Sequence, residues 1–187
     1  PWGGHKGLYG TNPIAFAAPR TDDEPLLIDL SLSKVARGKV MVASQRGESI
    51  PEGWALDRDG KPTTDPDAAL AGTMLPMGDA KGAALVLMVE ILAAALGGAN
   101  LGYQASSFFT AEGPPPGVGQ LVIAFDPDFF SGNGFADRLE ALIGEILLQQ
   151  NTRLPWSNRV QLRQAAADEG LRVADQLLDE LTALANR

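Results

Sequence analysis

The residues of this 187-residue chain that could do chemistry are few and come in short clusters. There is one histidine, His5, and no cysteine, which excludes disulfides, thiolate metal sites and thiol catalysis. Walker A, His-Glu-x-x-His and calcium-loop patterns are absent. Gly117-Val118-Gly119 and Gly132-Asn133-Gly134 lack the further glycine of a dinucleotide fingerprint. What remains are hydroxyls, amides and charges suited to gripping a small anion. Thr11 stands in the Gly-flanked loop Gly10-Thr11-Asn12-Pro13, where its hydroxyl could bond a carboxylate or simply shape a turn. Asp29-Leu30-Ser31 ends an apolar run; Asp29 or Ser31 could cap a following helix, whose free amides would also favour phosphate or carboxylate. In Arg37-Gly38-Lys39 a cation could pair with a carboxylate while Gly38 admits a ligand to the backbone; the alternative is a solvated basic helix face. Asp79-Ala80-Lys81-Gly82 reads equally as a ligand-facing loop, with Lys81 near a phosphate or a substrate, or as helix initiation with Asp79 as N-cap and Gly82 as packing. In Leu154-Pro155-Trp156-Ser157-Asn158-Arg159, Arg159 could pair with a phosphate and Ser157 and Asn158 donate to it. Alternatively Ser157 or Asn158 caps the final helix with Trp156 as a hydrophobic staple.

These clusters need elements to position them. Ile14 to Ala17 reads as a strand, Thr21 to Pro25 as a turn and Leu26 to Leu30 as a second strand. A helix capped by Ser31 or Ser33 is expected through Gln45, ending at Arg46-Gly47, with Gly38 in its middle for a packing or ligand reason. Residues 50–66 read as loop, Asp65-Pro66 opens a short helix ending near Gly72, and a long apolar helix runs from about Gly82 to Leu96. Glu90 within it would be a buried carboxylate in need of a partner, and it is read as structural. Residues 97–119 form a second loop, Gln120 to Phe125 is the clearest strand of all, and helical stretches follow at 135–149 and 158–187, the latter broken at Gly170. With no regular βαβ alternation, the pattern points to an α+β arrangement rather than a doubly wound domain.

Composition bounds the partners. The chain is 45% hydrophobic and 20% charged, ordinary for a soluble globular protein, and its net charge of −8 argues against nucleic acid. The apolar run 82–99 is interrupted by Glu90 and closes on Gly97-Gly98, which suits a buried helix rather than a membrane span. No signal peptide is visible, a cytoplasmic location is expected, and the start at Pro1-Trp2-Gly3-Gly4 reads as the middle of a longer chain.

Five ordered blocks carry a resemblance: 9–16 around Gly10-Thr11-Asn12-Pro13, 29–39 around Asp29-Leu30-Ser31 and Arg37-Gly38-Lys39, 50–57 around Pro51-Glu52-Gly53-Trp54, 59–66, and 75–82 around Asp79-Ala80-Lys81-Gly82. In this order and spacing the chain resembles the C-terminal half of the malate/L-lactate dehydrogenase family. The resemblance implies an α+β fold with a mixed, largely antiparallel sheet packed by helices, not a Rossmann fold. It implies 1–125 as part of the cofactor- and substrate-binding domain, and 126–187 as a helical segment packing on an N-terminal domain. It further implies a homodimer that uses NAD or NADP to interconvert a small 2-oxo acid and 2-hydroxy acid. The alternatives are reduction of a cyclic imino acid, or, in another class, a non-catalytic dimerising segment. Substrate contacts are implied at Thr11, Arg37, Gly38 and Lys39. Cofactor contacts are implied at Asp29, Leu30, Ser31, Asp79, Ala80, Lys81, Pro155, Trp156, Ser157, Asn158 and Arg159. The family's proton-donating histidine is expected upstream, because His5 does not match its motif; these residues alone are expected not to catalyse. Three positions depart from the family. Lys39 replaces the aspartate of the imino-acid branch and favours an open-chain hydroxy acid, Asp79-Ala80 replaces a common Gly-His, and Trp156 stands where relatives often have glycine.

Overall fold

The computed structural model describes residues 1–109 and 112–186. Two compact units emerge: Pro1–Phe16 with Ile28–Asp126, and Ala17–Leu27 with the residues from Pro127 onward. Strands β1 (Ile14–Ala18) and β2 (Leu26–Leu30) pair with each other, and the chain passes from one unit to the other along them. Both lie where the short apolar runs of the sequence place them.

In the first unit, α1 (Arg37–Arg46) ends as expected on Gly47, whose φ of 65° gives the left-handed C-cap that glycine adopts without penalty. Its start differs from expectation. Neither Asp29, Ser31 nor Ser33 caps it; Ala36 is the N-cap and no side chain bonds there. The reason lies in long-range pairing. The Leu32 N–H donates to the Thr11 carbonyl, the Lys34 N–H donates to the Leu75 carbonyl, and the Leu32 carbonyl accepts from Met77. Residues 32–34 are thereby held extended. Gly38 consequently sits in the first turn of α1, not its middle, and a Cβ there would meet nothing within 4 Å.

The segment expected to be loop carries β3 (Ala55–Leu56) and β4 (Pro62–Thr63). With β5 (Thr73–Met74) they form an antiparallel sheet in the order β4-β3-β5, in register Ala55↔Thr63 and Ala55↔Met74. Two-residue strands are too short to show a period, and the Asp57 carboxylate closes the hairpin by accepting from the Asp59 and Lys61 amides. Between β4 and β5, α2 (Pro66–Ala71) begins as its sequence demands, with Asp65 accepting from the Asp67 amide and proline in the first position. Val35, Val40, Ala43, Ile50, Ala55 and Ala69 form the core between α1, α2 and this sheet, with Trp54, Leu70 and Met74 against it.

Helix α3 (Asp79–Glu90) starts three residues earlier than expected and passes into a π-helical turn, Ile91–Ala95. The expected strand at 120–125 does not form. No strand is present there among the described residues; Val122 is 86% exposed and Phe125 70%. Apolar β-formers supply propensity, but a strand exists only where a neighbour completes its ladder.

The second unit holds α4 (Pro127–Ser131), which shows no sequence period, then α5 (Phe135–Leu147), α6 (Ser157–Glu169) and α7 (Asp175–Ala185). Ala18 and Ile143 are its buried hydrophobic residues among those described. Arg20 ties the β1–β2 loop to α5, giving Glu140 two N–H donors at 3.0 and 2.8 Å and pairing with Asp23 at 2.6 Å. Its hydrogen bond holds the Glu140 carboxyl below its usual range, against partial desolvation. A carboxyl depressed in the folded state adds stability above the unfolded value and loses it as pH falls through the folded one. Glu140→Gln should therefore lower the melting temperature slightly at neutral pH, and the difference should vanish on acidification; a pH series of thermal melts reads both.

Candidate functional site

Three polar segments of the first unit meet around residues 31–34. The first is the Gly10–Pro13 loop. Thr11 is exposed, its carbonyl takes the Leu32 N–H at 2.8 Å, and its hydroxyl has no partner among the described residues. The second is the end of β2. Asp29 is exposed, Leu30 half-buried, and the Ser31 and Ser33 hydroxyls lie 3.0 Å apart, with Ser33 donating to the Val35 carbonyl. The third is the approach to α3. Met77 bonds Leu32 at 2.9 Å, and Ser33 bridges Pro76.

Directly beyond Met77 the backbone turns left-handed at Gly78 (φ 63°) and Asp79 (φ 56°) and enters α3. Gly78, not Asp79, is the N-cap, so the capping role weighed for Asp79 is overturned. Asp79 instead places a carboxylate in the first turn, while Ala80 and Lys81 are exposed beside it. The first amides of a twelve-residue helix lack intrahelical partners. Gly82 is obligatory here, because its Cβ would lie 1.5 Å from the Met77 carbonyl oxygen.

The other expected site residues lie elsewhere. The Arg37 guanidinium donates to the Leu70 carbonyl at 2.7 Å and stacks over Phe109 at 5.6 Å, contacts its spacing did not foretell. Gly38 and Lys39 line an open groove of about 350 Å³ with Arg46, Glu48 and Trp54; Thr11 is not on it. His5 lies against the hairpin turn, where a Cβ on Gly60 would meet its own Cβ at 2.2 Å.

Pro155 to Arg159 belong to the second unit. Trp156 takes a left-handed φ of 71°, costly for a bulky residue, and the Arg159 guanidinium stacks on its ring at 4.3 Å. Trp156 is itself the N-cap of α6. Ser157 donates to the Leu154 carbonyl instead of capping, and the capping role weighed for Ser157 or Asn158 is overturned.

Sequence reasoning gave no part to Asn12 and read Glu90 as structural. Asn12 has a left-handed φ of 41° and donates from its side chain to the Val86 carbonyl at 3.0 Å and to Glu90 at 2.8 Å. The signal was available, since asparagine before proline in a glycine-flanked loop tolerates φ > 0. The partner was not.

A dinucleotide phosphate needs N–H donors and a cation; a ribose needs hydroxyls and acceptors. The amides and Lys81 at the α3 start and the Ser31–Ser33 pair meet that demand on adjoining segments. Among the described residues no group of three or more His, Cys, Asp or Glu could hold a metal ion, and no helix is long and apolar enough to cross a membrane.

Helices with small antiparallel sheets and no Rossmann repeat define an α+β unit. The chain belongs to the malate/L-lactate dehydrogenase family, which it matches over residues 1–182. It is 59% identical over 185 residues to the (2R)-3-sulfolactate dehydrogenase (NADP(+)) of Chromohalobacter salexigens, covering 99% of this chain and 55% of that protein. To a Delta(1)-pyrroline-2-carboxylate/Delta(1)-piperideine-2-carboxylate reductase of Pseudomonas putida it is 42% identical, covering 98% and 54%. Among solved structures, a delta1-piperideine-2-carboxylate reductase from Pseudomonas syringae superposes with TM-score 0.88 at 40% identity, covering 98% of this chain and 56% of that one. The sulfolactate dehydrogenase of Methanocaldococcus jannaschii gives 0.84 at 34%, covering 100% and 55%. The chain thus spans about half the length of the curated relatives it matches.

Proposed function

We propose that this chain is the cofactor- and carboxylate-gripping part of an NAD(P)-dependent oxidoreductase that interconverts a small 2-hydroxy acid and its 2-oxo acid. The sulfolactate/sulfopyruvate pair is the first choice, and NADP the preferred cofactor. The observation that carries this is the exposed Thr11 hydroxyl, without a partner among the described residues, while its backbone carbonyl bonds the segment bearing Ser31 and Ser33. The 59% identity to a (2R)-3-sulfolactate dehydrogenase supports the substrate class and the cofactor.

When bound, the nicotinamide would exchange hydride with substrate C2. The residues here contribute binding and orientation. Thr11 donates to the substrate carboxylate, and of the Arg37-Gly38-Lys39 stretch the exposed Lys39 is read as its cation, Arg37 being held on Leu70 and Phe109. The α3 start from Asp79 to Lys81 and the Asp29–Ser31 strand end hold the cofactor; Pro155–Arg159, in the second unit, are read from the family resemblance alone as cofactor-contacting residues. The proton moving to or from the C2 oxygen is assigned to a residue outside these 187, since His5 packs on the Gly60 turn. Residues 1–125 are read as part of the cofactor and substrate domain. Residues 126–187 are read as a segment that packs on an N-terminal domain, supported by exposed Leu177, Leu181 and Leu184 on one stripe of α7. A homodimer in the cytoplasm completes the proposal.

Full-length enzyme should consume NADPH with 3-sulfopyruvate, followed as loss of nicotinamide absorbance. A rate confined to piperideine- or pyrroline-2-carboxylate would move the reading to the imino acid reductases, which relatives at about 40% identity favour. Thr11→Ala should raise the KM for the 2-oxo acid by roughly tenfold or more, the worth of one hydrogen bond to a charged group. Unchanged kinetics would remove Thr11 from the site.

A further inference from the structure

Among the described residues Glu90 is the one buried charged side chain, 8% exposed within the most apolar helix. A carboxylate is expensive to bury unless both oxygens are bonded, and here both are. Oε2 accepts from the Asn12 side-chain amide at 2.8 Å, and Oε1 accepts from the Gly102 backbone N–H at 2.5 Å. Its two partners flank one target. Asn12 follows Thr11 directly and is held left-handed, with its amide also bonded to Val86 one turn before Glu90. Gly102 lies flat on the backbone before Thr11: a Cβ there would fall 2.5 Å from the Gly10 nitrogen and 2.8 Å from the Tyr9 carbonyl carbon. Immediately after Glu90 the helix widens into its π turn, where Leu96 bonds back five residues to Ile91. Single π turns inside α-helices recur at functional sites.

We propose that Glu90 is a positioning residue for substrate binding: it clamps the Tyr9–Pro13 loop from behind so that the Thr11 hydroxyl keeps one place and direction. It touches neither substrate nor cofactor. Binding the loop on both sides of Thr11 removes freedom the loop would otherwise lose on each binding event, and preorganisation of this kind appears in affinity for the acid. This rests on the proposed substrate role of Thr11.

The test uses full-length enzyme with NADPH and 3-sulfopyruvate. Glu90→Gln keeps size but turns an NH2 toward one of two donors, so one clamp bond is lost. Its KM for the 2-oxo acid should rise about tenfold or more, with the KM for NADPH changed far less. Asn12→Gly keeps the left-handed backbone at no steric cost and removes the clamp from the other side, so it should give the same split if Glu90→Gln does not fold. Glu90→Asp, which keeps the charge but shortens the reach, should recover part of the loss. Hydrogen exchange of the 9–12 amides should speed up in Glu90→Gln and Asn12→Gly while α1 stays protected.

If Thr11→Ala raises the KM but Glu90→Gln and Asn12→Gly leave both KM and loop exchange unchanged, this inference is overturned and the proposed function stands. A general rise in exchange with both KM values moved equally would make Glu90 merely structural and would also overturn it. If Thr11→Ala itself changes nothing, the substrate role of the loop falls, and this inference with it.

Discussion

Gly82→Ala should cripple the protein. The added methyl would start 1.5 Å from the Met77 carbonyl oxygen and 2.7 Å from its carbon. Both atoms are backbone, so no side chain can swing aside. Relief requires moving the start of α3 away from Leu75–Met77, which breaks the Met77–Leu32 bond and scatters the Gly78–Lys81 amides. Overpacking against an unyielding neighbour costs on the order of 3 kcal/mol or more. For a chain of this size that is roughly 6–12 °C of melting temperature. On the proposed function, surviving folded protein should also bind NADPH more weakly, read by fluorescence titration. Gly38→Ala is the matched control. Its Cβ meets nothing and the site is helical, so Ala should be neutral or stabilise by about 0.4–1 kcal/mol. If Gly82→Ala melts with the parent, the α3 start is not packed as described.

Leu32→Ala should be the second large loss. Leu32 is 0% exposed and one of the two largest fully buried side chains of the chain's described residues. Truncating such a leucine typically costs about 2–5 kcal/mol, the transfer term plus the cavity left behind. Here the residue also carries the hydrogen bonds that join the Thr11 loop to the approach to α3, through its N–H and its carbonyl. Its side chain fixes the position of that strip of backbone, so its loss should loosen both proposed ligand-facing segments together. Urea unfolding should show a lower midpoint with the slope retained. A midpoint shifted by less than about 0.5 kcal/mol would mean the strip is anchored by backbone pairing alone.

Several features of this protein were legible because their causes are local. Asp65-Pro66 announces a capped helix, since the Asp65 carboxylate needs only the amide two residues on. Gly47 ends α1 and Gly170 ends α6, each from a backbone conformation other residues resist. The apolar run Leu26–Leu30 and the apolar face of Phe135–Leu147 are likewise local patterns. The family resemblance was likewise written in ordered blocks, and it named a fold that common motifs would have missed.

What failed was decided by partners far away in sequence. Residues 31–34 look like a helix start, yet Thr11, Leu75 and Met77 pull them extended. Residues 120–125 have the strongest strand propensity of the chain and form none. Residues 55–56 and 62–63 have almost no signal and do form strands, because β5 and a closed Asp57 turn supply ladder and register. Arg37 reads as a free cation and is spent on Leu70 and Phe109.

The sequence by itself determined the residue types available, the local caps and breaks, and the family. Tertiary structure alone decided which polar segments adjoin, that Glu90 is bonded at one oxygen to Asn12 beside Thr11 and at the other to the Gly102 N–H, and that Gly82 has no room for a methyl. Helix caps and turns are closed by bonds a few residues long, which spacing can reveal. A loop held from behind by a carboxylate 78 residues away is closed by a contact that no local pattern encodes.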